Sequence, residues 1–273
     1  MSSQVRADIQ GVTDAGLVRS QNEDSIGMGS SIDVAVLADG MGGHRGGQVA
    51  SKLAVDTILE ILPHLLEHPA LGQTKTAFSA QCLAVKEAIE KANSAIYQAA
   101  QNNSQYAGMG TTVVVVLLHT NRVCIAHVGD SRLYRLRSGR MEQLTEDHSL
   151  VQELIKQGYY TAEEAKQASN RNIVTRALGI EPTVEVEIRE ELVLGDDVYL
   201  LCSDGLTDMV EDPEIEEIIR RHREHLDKAL LELVHQAKVN GGLDNISAML
   251  VKPVNILSTK QNWLSKFVAF MKG

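Results

Sequence analysis

Residues 111–128 read TTVVVVLLHTNRVCIAHV, and the fold is decided by how this stretch is paired. Thr111–Leu118 and Arg122–Val128 are short runs dominated by β-branched and other apolar side chains, with Thr120-Asn121 between them as a turn. β-Branched side chains pack well on a pleated surface, and a run apolar at odd and even positions alike buries both of its faces. The pair is therefore a hairpin deep in the molecule. Arg132–Arg137 continues it as a third strand, ended by Ser138-Gly139.

Working outward, further strands are expected at Ser3–Thr13, Ile32–Ala38, Asp197–Cys202 and Ile246–Val251. Between them the period changes. From Thr74 to Gln101, Phe78, Cys82, Val85, Ile89, Ala92, Ile96 and Ala99 recur at alternating intervals of four and three, a one-sided helical stripe. Val49–Leu66 repeats the pattern less cleanly, and Pro63 should kink or end it. A turn at His68–Gly72 would make the two an antiparallel pair. A second pair is expected over Pro213–Arg223 and Asp227–Asn240. Helices arriving in pairs, not singly between strands, argue against a doubly wound parallel sheet. The expected class is α+β: a central β-sandwich of two antiparallel sheets flanked by helix pairs, in four layers α-β-β-α. The polar stretch 145–178 reads as an inserted flap over one end of the sandwich, placed for substrate contact.

Residues 1–254 are expected to form one domain, followed by a short amphipathic tail at 255–273. In the tail Trp263, Leu264, Phe267, Val268 and Met271 share a helical face. It is too short to span a bilayer, and docking on the body is favoured over binding a partner or a membrane surface. Asp plus Glu exceeds Lys plus Arg by 36 to 26, a formal charge of −10, which excludes a broad basic footprint for nucleic acid. The three cysteines, Cys82, Cys124 and Cys202, each lie in an apolar run, which reads as buried, reduced thiols in a reducing compartment. MSSQVRADIQG at the start shows no apolar signal region, so the cytoplasm is the expected location.

Acidic residues recur beside glycine or asparagine at the expected strand ends: Asn22-Glu23-Asp24, Asp39-Gly40, Gly129-Asp130-Ser131, Asp204-Gly205 and Asp244-Asn245. Carboxylates and a backbone carbonyl are the hard oxygen ligands that Mg²⁺ and Mn²⁺ take, whereas zinc or softer metals would want Cys or several His. Asp-Gly alone is a common turn dipeptide, so turn chemistry accounts for each instance by itself.

RSQNEDS at 19–25, ADGMGGHRGGQVAS at 38–51, GMGTT at 108–112, HVGDSRLY at 127–134, TEDHS at 145–149, NIVTRALG at 172–179, LLCSDGL at 200–206 and DNIS at 244–247 fall in one order. In these motifs the chain resembles the type 2C metal-dependent Ser/Thr protein phosphatases in their compact bacterial form. The resemblance runs from about residue 6 to residue 251 and implies a β-sandwich flanked by helix pairs. It implies that Asp39 bridges two divalent cations, Mn²⁺ or Mg²⁺, and that Gly40 lends its carbonyl to one of them. Asp204 and Asp244 would complete the other shell, with Glu23 and Asp24 reaching metal directly or through water. Asp130 would help to hold a third, weaker metal, and Arg19 would grip the substrate phosphate through its planar fork. A water bridging the cations would then attack phosphoserine or phosphothreonine, with no phosphoenzyme. The implied partners are phosphorylated proteins, foremost a cognate Ser/Thr kinase and its targets.

The chain departs from the pattern at Met41, where relatives from higher organisms place a histidine as a candidate general acid. His44, in the same loop, could protonate the leaving alkoxide, and it could equally be a solvent-facing loop histidine. No Cys-x5-Arg is present, because Asp130 and Asp208 occupy the sixth places after Cys124 and Cys202. The run GMGGHRGGQ lacks the Lys-Ser/Thr of a nucleotide P-loop. Three rivals remain: a metal nuclease or polyphosphate hydrolase, opposed by the acidic charge; a phosphoprotein-binding pseudophosphatase, opposed by the presence of Asp39, Asp204 and Asp244; and a small-molecule sensor, for which no sensory domain is visible.

Overall fold

The structure, a computed structural model, describes residues 6–42, 45–68, 77–161, 164–165, 168, 170 and 172–254. The turn expected at His68–Gly72 lies mostly outside these residues. His44 and the tail 255–273 lie outside them entirely.

In chain order the strands are β1 (Arg6–Asp14), β2 (Asp24–Met28), β3 (Val34–Met41), β4 (Gly110–Thr111), β5 (Val113–His119), β6 (Arg122–Val128), β7 (Arg132–Arg137), β8 (Arg140–Gln143), β9 (Glu187–Leu192), β10 (Val198–Cys202) and β11 (Ile246–Val254). The helices are α1 (Gly46–Glu67), α2 (Ala80–Asn102), α3 (Leu150–Lys156), α4 (Asp204–Thr207), α5 (Asp212–Arg221) and α6 (Leu226–Val239). One sheet has the order β1-β11-β10-β7-β8 and the other β2-β3-β5-β6-β9, with β4 added on β3. Every ladder is antiparallel.

Side-chain alternation explains why four layers form. On β5, Val113, Val115 and Leu117 pack toward α1 and α2, while Val114, Val116 and Leu118 pack between the sheets. β3 divides in the same way, with Val34, Val36 and Ala38 on the helix side and Ala35 and Leu37 on the sheet side. The other sheet's outer face, including Leu136, Leu200 and Leu250, packs against Ile215 and Ile219 of α5 and Leu230 and Leu233 of α6. Each such fully buried aliphatic side chain contributes roughly 1.5–3 kcal/mol, which is why the TTVVVVLL run commits the chain to this arrangement.

Some expectations are corrected. α1 runs through Pro63 to Glu67 without ending there. Pro63 falls in the last turns, where burial of Ile58 and Leu62 against the sheet outweighs one missing hydrogen bond. α2 begins at Ala80, not near Thr74, because the Ser79 hydroxyl caps it by accepting the Cys82 N–H at 3.2 Å. β2, β8 and β9 were not foreseen, since at or near the sheet edges their side chains are charged or half exposed. The cysteine reading also fails. Cys82 of α2 and Cys124 of β6 form a disulfide with their Cα atoms 5.3 Å apart, and only Cys202 is free and buried. The helical stripe that placed Cys82 toward the core placed it directly over β6, a proximity that no local spacing reveals.

Candidate active site

The loops and strand ends on one side of the sandwich converge on a cavity of about 280 Å³. Arg19 and Glu23 come from the β1–β2 loop, Asp39 and Gly40 from the end of β3, and Asp130 from the β6–β7 turn. Asp204 stands at the start of α4 just after β10, and Asp244 just before β11; all of these residues line the cavity. Asp24, the first residue of β2, is opposite Asp39 in the β2–β3 register and lies buried beneath the lining.

The electrostatics are those of unpaired negative charge. Burial, and then the neighbouring Asp24, Asp204, Asp130 and Asp244, push the Asp39 carboxyl well above its ordinary range. Burial and the charges of Asp130, Asp208 and Asp244 push Asp204 up to about 8. Asp24 and Asp130 are each raised to about 6, chiefly by burial. Burial also raises Glu23, against the pull of Arg19 and the Gln48 N–H. Among the described residues Arg19 is the only basic side chain lining this cavity, and it holds Asp244 at 2.7 Å. That bond is the first cause of its own raised pKa. Asp24 accepts the Ser203 hydroxyl on Oδ2 at 2.9 Å, while its buried Oδ1 has no protein partner.

Neutral residues fix these groups, and their roles were not foreseen although they sit inside the quoted motifs. The Thr112 hydroxyl accepts the Asp39 N–H at 3.1 Å, and the Thr111 hydroxyl donates to the Asp39 carbonyl at 2.8 Å. Thr112 and Ser131 join hydroxyls at 2.7 Å, tying the Asp39 strand to the turn that carries Asp130. Asn245 accepts the Glu23 N–H at 2.8 Å and donates to the carbonyls of Ala15 and Gln21, which clasps the Arg19–Glu23 loop to the Asp244 loop. Gly40 serves by lacking a side chain: a Cβ there would lie 2.1 Å from the Gly47 carbonyl oxygen, at the first turn of α1. The signal available in sequence was a small polar residue beside Asp130, Asp204 and Asp244, whereas Thr111 and Thr112 have no acidic neighbour.

His148 also reaches the site's edge. It accepts the Gly129 N–H on Nδ1 at 3.1 Å, and its own N–H donates to the Gly129 carbonyl at 3.0 Å. His127, His148 and Glu187 bring potential metal-ligand atoms within 4.8 Å of one another. Nε2 of His148 lies 3.4 Å from Glu187 Oε2 and 3.3 Å from Arg176 Nη1. Burial, His127 and Arg176 hold this ring neutral by lowering its pKa to about 4. His148 thus braces the turn that carries Asp130, and the neutral ring is also the form of histidine that can bind a metal ion. Within 145–178, Ser149 bridges Val174 and Thr111 bridges Leu178, and Asn172 and Val174 line the aspartate cavity.

Residues 18–246 match the sequence profile of Protein phosphatase 2C. The chain belongs to the protein phosphatase 2C family. The Serine/threonine phosphatase stp of Listeria innocua is 40% identical to this phosphatase 2C chain over 245 residues, 88% of this chain and 93% of that one. Protein phosphatase PhpP of Streptococcus pneumoniae is 36% identical over 247 residues, 89% of this chain and 96% of that one. Among solved structures, the Mycobacterium tuberculosis serine/threonine phosphatase PstP/Ppp superposes with a TM-score of 0.79 at 35% identity, covering 91% of this chain and 98% of that one. The catalytic domain of PstP in complex with two manganese ions gives a TM-score of 0.78 at 34% identity, covering 93% of this chain and all of that one. The expected sandwich of two antiparallel sheets with helices outside is the fold observed.

Proposed function

We propose that this chain hydrolyses phosphoserine and phosphothreonine esters on proteins with the aid of divalent cations, as a Ser/Thr protein phosphatase of the 2C family. The observation that carries the reading is the cavity itself, where carboxylates from separate strand ends are crowded, Asp39 and Asp204 at raised pKa, with Arg19 as the only lining cation among the described residues. The orphaned, buried Oδ1 of Asp24 and the all-oxygen donor set fit hard cations such as Mn²⁺ or Mg²⁺. In this reading Asp39, the Gly40 carbonyl, Asp204 and Asp244 would hold two cations, with Glu23 and Asp24 reaching them directly or through water, and Asp130 would help to hold a third, weaker one. Bound there, the cations supply positive charge that polarises a phosphoryl group and acidifies water.

The chain's own residues supply the rest. Arg19 binds substrate phosphate, its place fixed by the bond to Asp244, and the guanidinium offsets charge on the phosphoryl oxygens. The Thr111 and Thr112 hydroxyls hold the backbone of Asp39 so that its carboxylate does not shift as charge builds up. His44 is the proposed proton donor to the leaving alkoxide. The substrates are phosphorylated proteins, foremost a Ser/Thr kinase and its targets, met in the cytoplasm, where the fully buried Cys82–Cys124 bond would be an exception to the usual reduced state. Among the described residues no helix is long and apolar enough to cross a membrane; recovery of the protein in a membrane or extracellular fraction would overturn that placement.

The deciding experiment measures hydrolysis of p-nitrophenyl phosphate and a phosphothreonine peptide with Mn²⁺, Mg²⁺ or EDTA, for the native chain and Asp39→Asn. Turnover that needs metal and collapses in the variant is expected. A folded, metal-loaded native protein that turns over neither substrate would overturn the enzymatic reading in favour of phosphoprotein binding.

A further inference from the structure

The aspartate cavity opens on its Arg19 side into a second cavity of about 490 Å³. The two share Arg19, Glu23, Gly42 and Asn245 as walls, so they form one continuous depression. The far wall of the second is Arg45. Asn245 has no donor to spare, since both N–H groups of its amide are spent on clasping the loops together. The Glu23 carboxylate is turned to the Gln48 N–H and feels Arg19. Arg19 is engaged by Asp244. Arg45 makes no ion pair with any described carboxylate and no side-chain cap bond to the helix that it precedes.

Arg45 is also held in an unusual way. It stands directly before α1 with φ 73° and ψ 11°, in the left-handed region that glycine or asparagine occupies at lower cost. Gly46 and Gly47 follow it, yet the strained position carries a long cationic side chain. An outlier of this kind argues from geometry toward a functional demand. The amino end of the 22-residue α1 adds positive potential on the same side.

The opposite flank of the aspartate cavity has the reverse character. A cleft of about 540 Å³ opens there, with Asp130, Asp147, Asp208, Glu211 and Asp212 in its walls. Its arginine, Arg132, is committed to Asp147 through Nε at 3.0 Å and Nη2 at 2.7 Å. A substrate carrying a second anion beside its phosphate would be repelled on that flank and met by a free guanidinium on the other.

We propose that the Arg45 cavity is a second anion subsite, which receives a phosphate or carboxylate group from the substrate chain next to the phosphoresidue under attack. Arg45 is the residue that selects for it. The inference rests on the phosphatase reading above and adds to it a substrate class: phosphoproteins whose phosphorylated Ser or Thr lies beside another phosphoresidue or beside Asp or Glu.

The test compares kcat/KM of the metal-loaded protein on matched phosphothreonine peptides flanked by alanine, by glutamate, by a second phosphothreonine, or by lysine. The readout is the ratio of anion-flanked to alanine-flanked peptide, not the absolute rate. A preference of about ten-fold is expected, the scale of a charge-assisted contact in a partly open cavity. Arg45→Gly suits the positive φ while removing the cation, and should bring the ratio close to one; Arg45→Glu should reverse it toward the lysine peptide. Preference confined to the doubly phosphorylated peptide assigns the subsite to phosphate, and preference for both anionic peptides assigns it to either anion. A ratio near one in the native protein, or one unchanged in Arg45→Gly and Arg45→Glu, overturns the subsite while leaving the phosphatase standing. Failure to hydrolyse any of the peptides would instead overturn the reading on which it rests.

Discussion

Strand β10 has an aspartate near each end, and the two live in opposite circumstances. Asp197, just before the strand, has a side chain with no exposure, and every face of its carboxylate is engaged. Arg137 reaches it with Nε at 2.6 Å and Nη2 at 2.7 Å, the Tyr199 hydroxyl donates at 3.0 Å, and the Leu194 N–H donates at 2.8 Å. Asp204, just past the strand's other end, is surrounded by further carboxylates and raised to about 8. A buried charge that the protein neutralises itself is architecture. One that it leaves crowded by like charges awaits something that the chain does not contain.

The largest break of that comparison is Asp39→Asn. Turnover should fall by roughly a thousand-fold or more, the scale of losing preorganised charge stabilisation at a reacting centre. The same variant should melt at a higher temperature than the native protein in EDTA, because one mutually repelling charge is gone. Kinetics and thermal melts on one preparation check both signs, and a lower melting temperature in EDTA would contradict the account of the cluster.

At the other end of β10, Asp197→Ala should do the opposite. It strands the Arg137 guanidinium beside the Tyr199 hydroxyl and should cost about 3–5 kcal/mol in urea unfolding, while activity per folded molecule persists.

A third measurement sharpens the contrast through pH. A carboxyl whose pKa rises on folding stabilises the fold while protonated. That contribution is complete below the unfolded value near 3.8 and is lost as pH climbs through the folded ones, about 6 for Asp24 and Asp130 and about 8 for Asp204. Buried His127 and His148, held below their ordinary value, act in the other direction and withdraw stability as pH falls below about 6.5. The difference between melting curves with Mn²⁺ and with EDTA isolates the aspartates, and metal should gain most over EDTA toward pH 8.

The smallest effect is expected from Ser203→Ala, which removes the hydroxyl on Asp24 and should weaken metal affinity about ten-fold by calorimetry, with little change in the sandwich.

The two ends of β10 also show what a sequence can and cannot convey. Central strands were legible almost to the residue: β6 and β7 occupy the expected Arg122–Val128 and Arg132–Arg137, because runs apolar on both faces have one use in a soluble domain. β9, EIREEL, was not, because its charges are balanced by residues far along the chain, such as Arg122 on Glu190. The same holds for Asp197, whose partner Arg137 is 60 residues away. Locally, nothing marks Asp197 as satisfied and Asp204 as waiting. The positions of Glu23, Asp39, Gly40, Asp130, Asp204 and Asp244 beside turns were readable, and their convergence was supplied by resemblance. The hydroxyls and amide that clamp them went unremarked, because Thr111 and Thr112 read as β-branched strand residues and Ser203 and Asn245 as ordinary turn residues until the loops meet.

The Cys82–Cys124 bond makes part of the chain a closed ring with a sequence separation of 42. That ring contains most of α2, all of β4 and β5, and with them Thr111 and Thr112, which grip the Asp39 backbone. Closing a loop of this size removes about 4 kcal/mol worth of freedom from the unfolded chain on the chain-entropy account. The ring also makes the support of the metal cradle tolerant of scission, since a backbone cut between the two cysteines leaves both fragments covalently joined and the threonines tethered to the strand opposite.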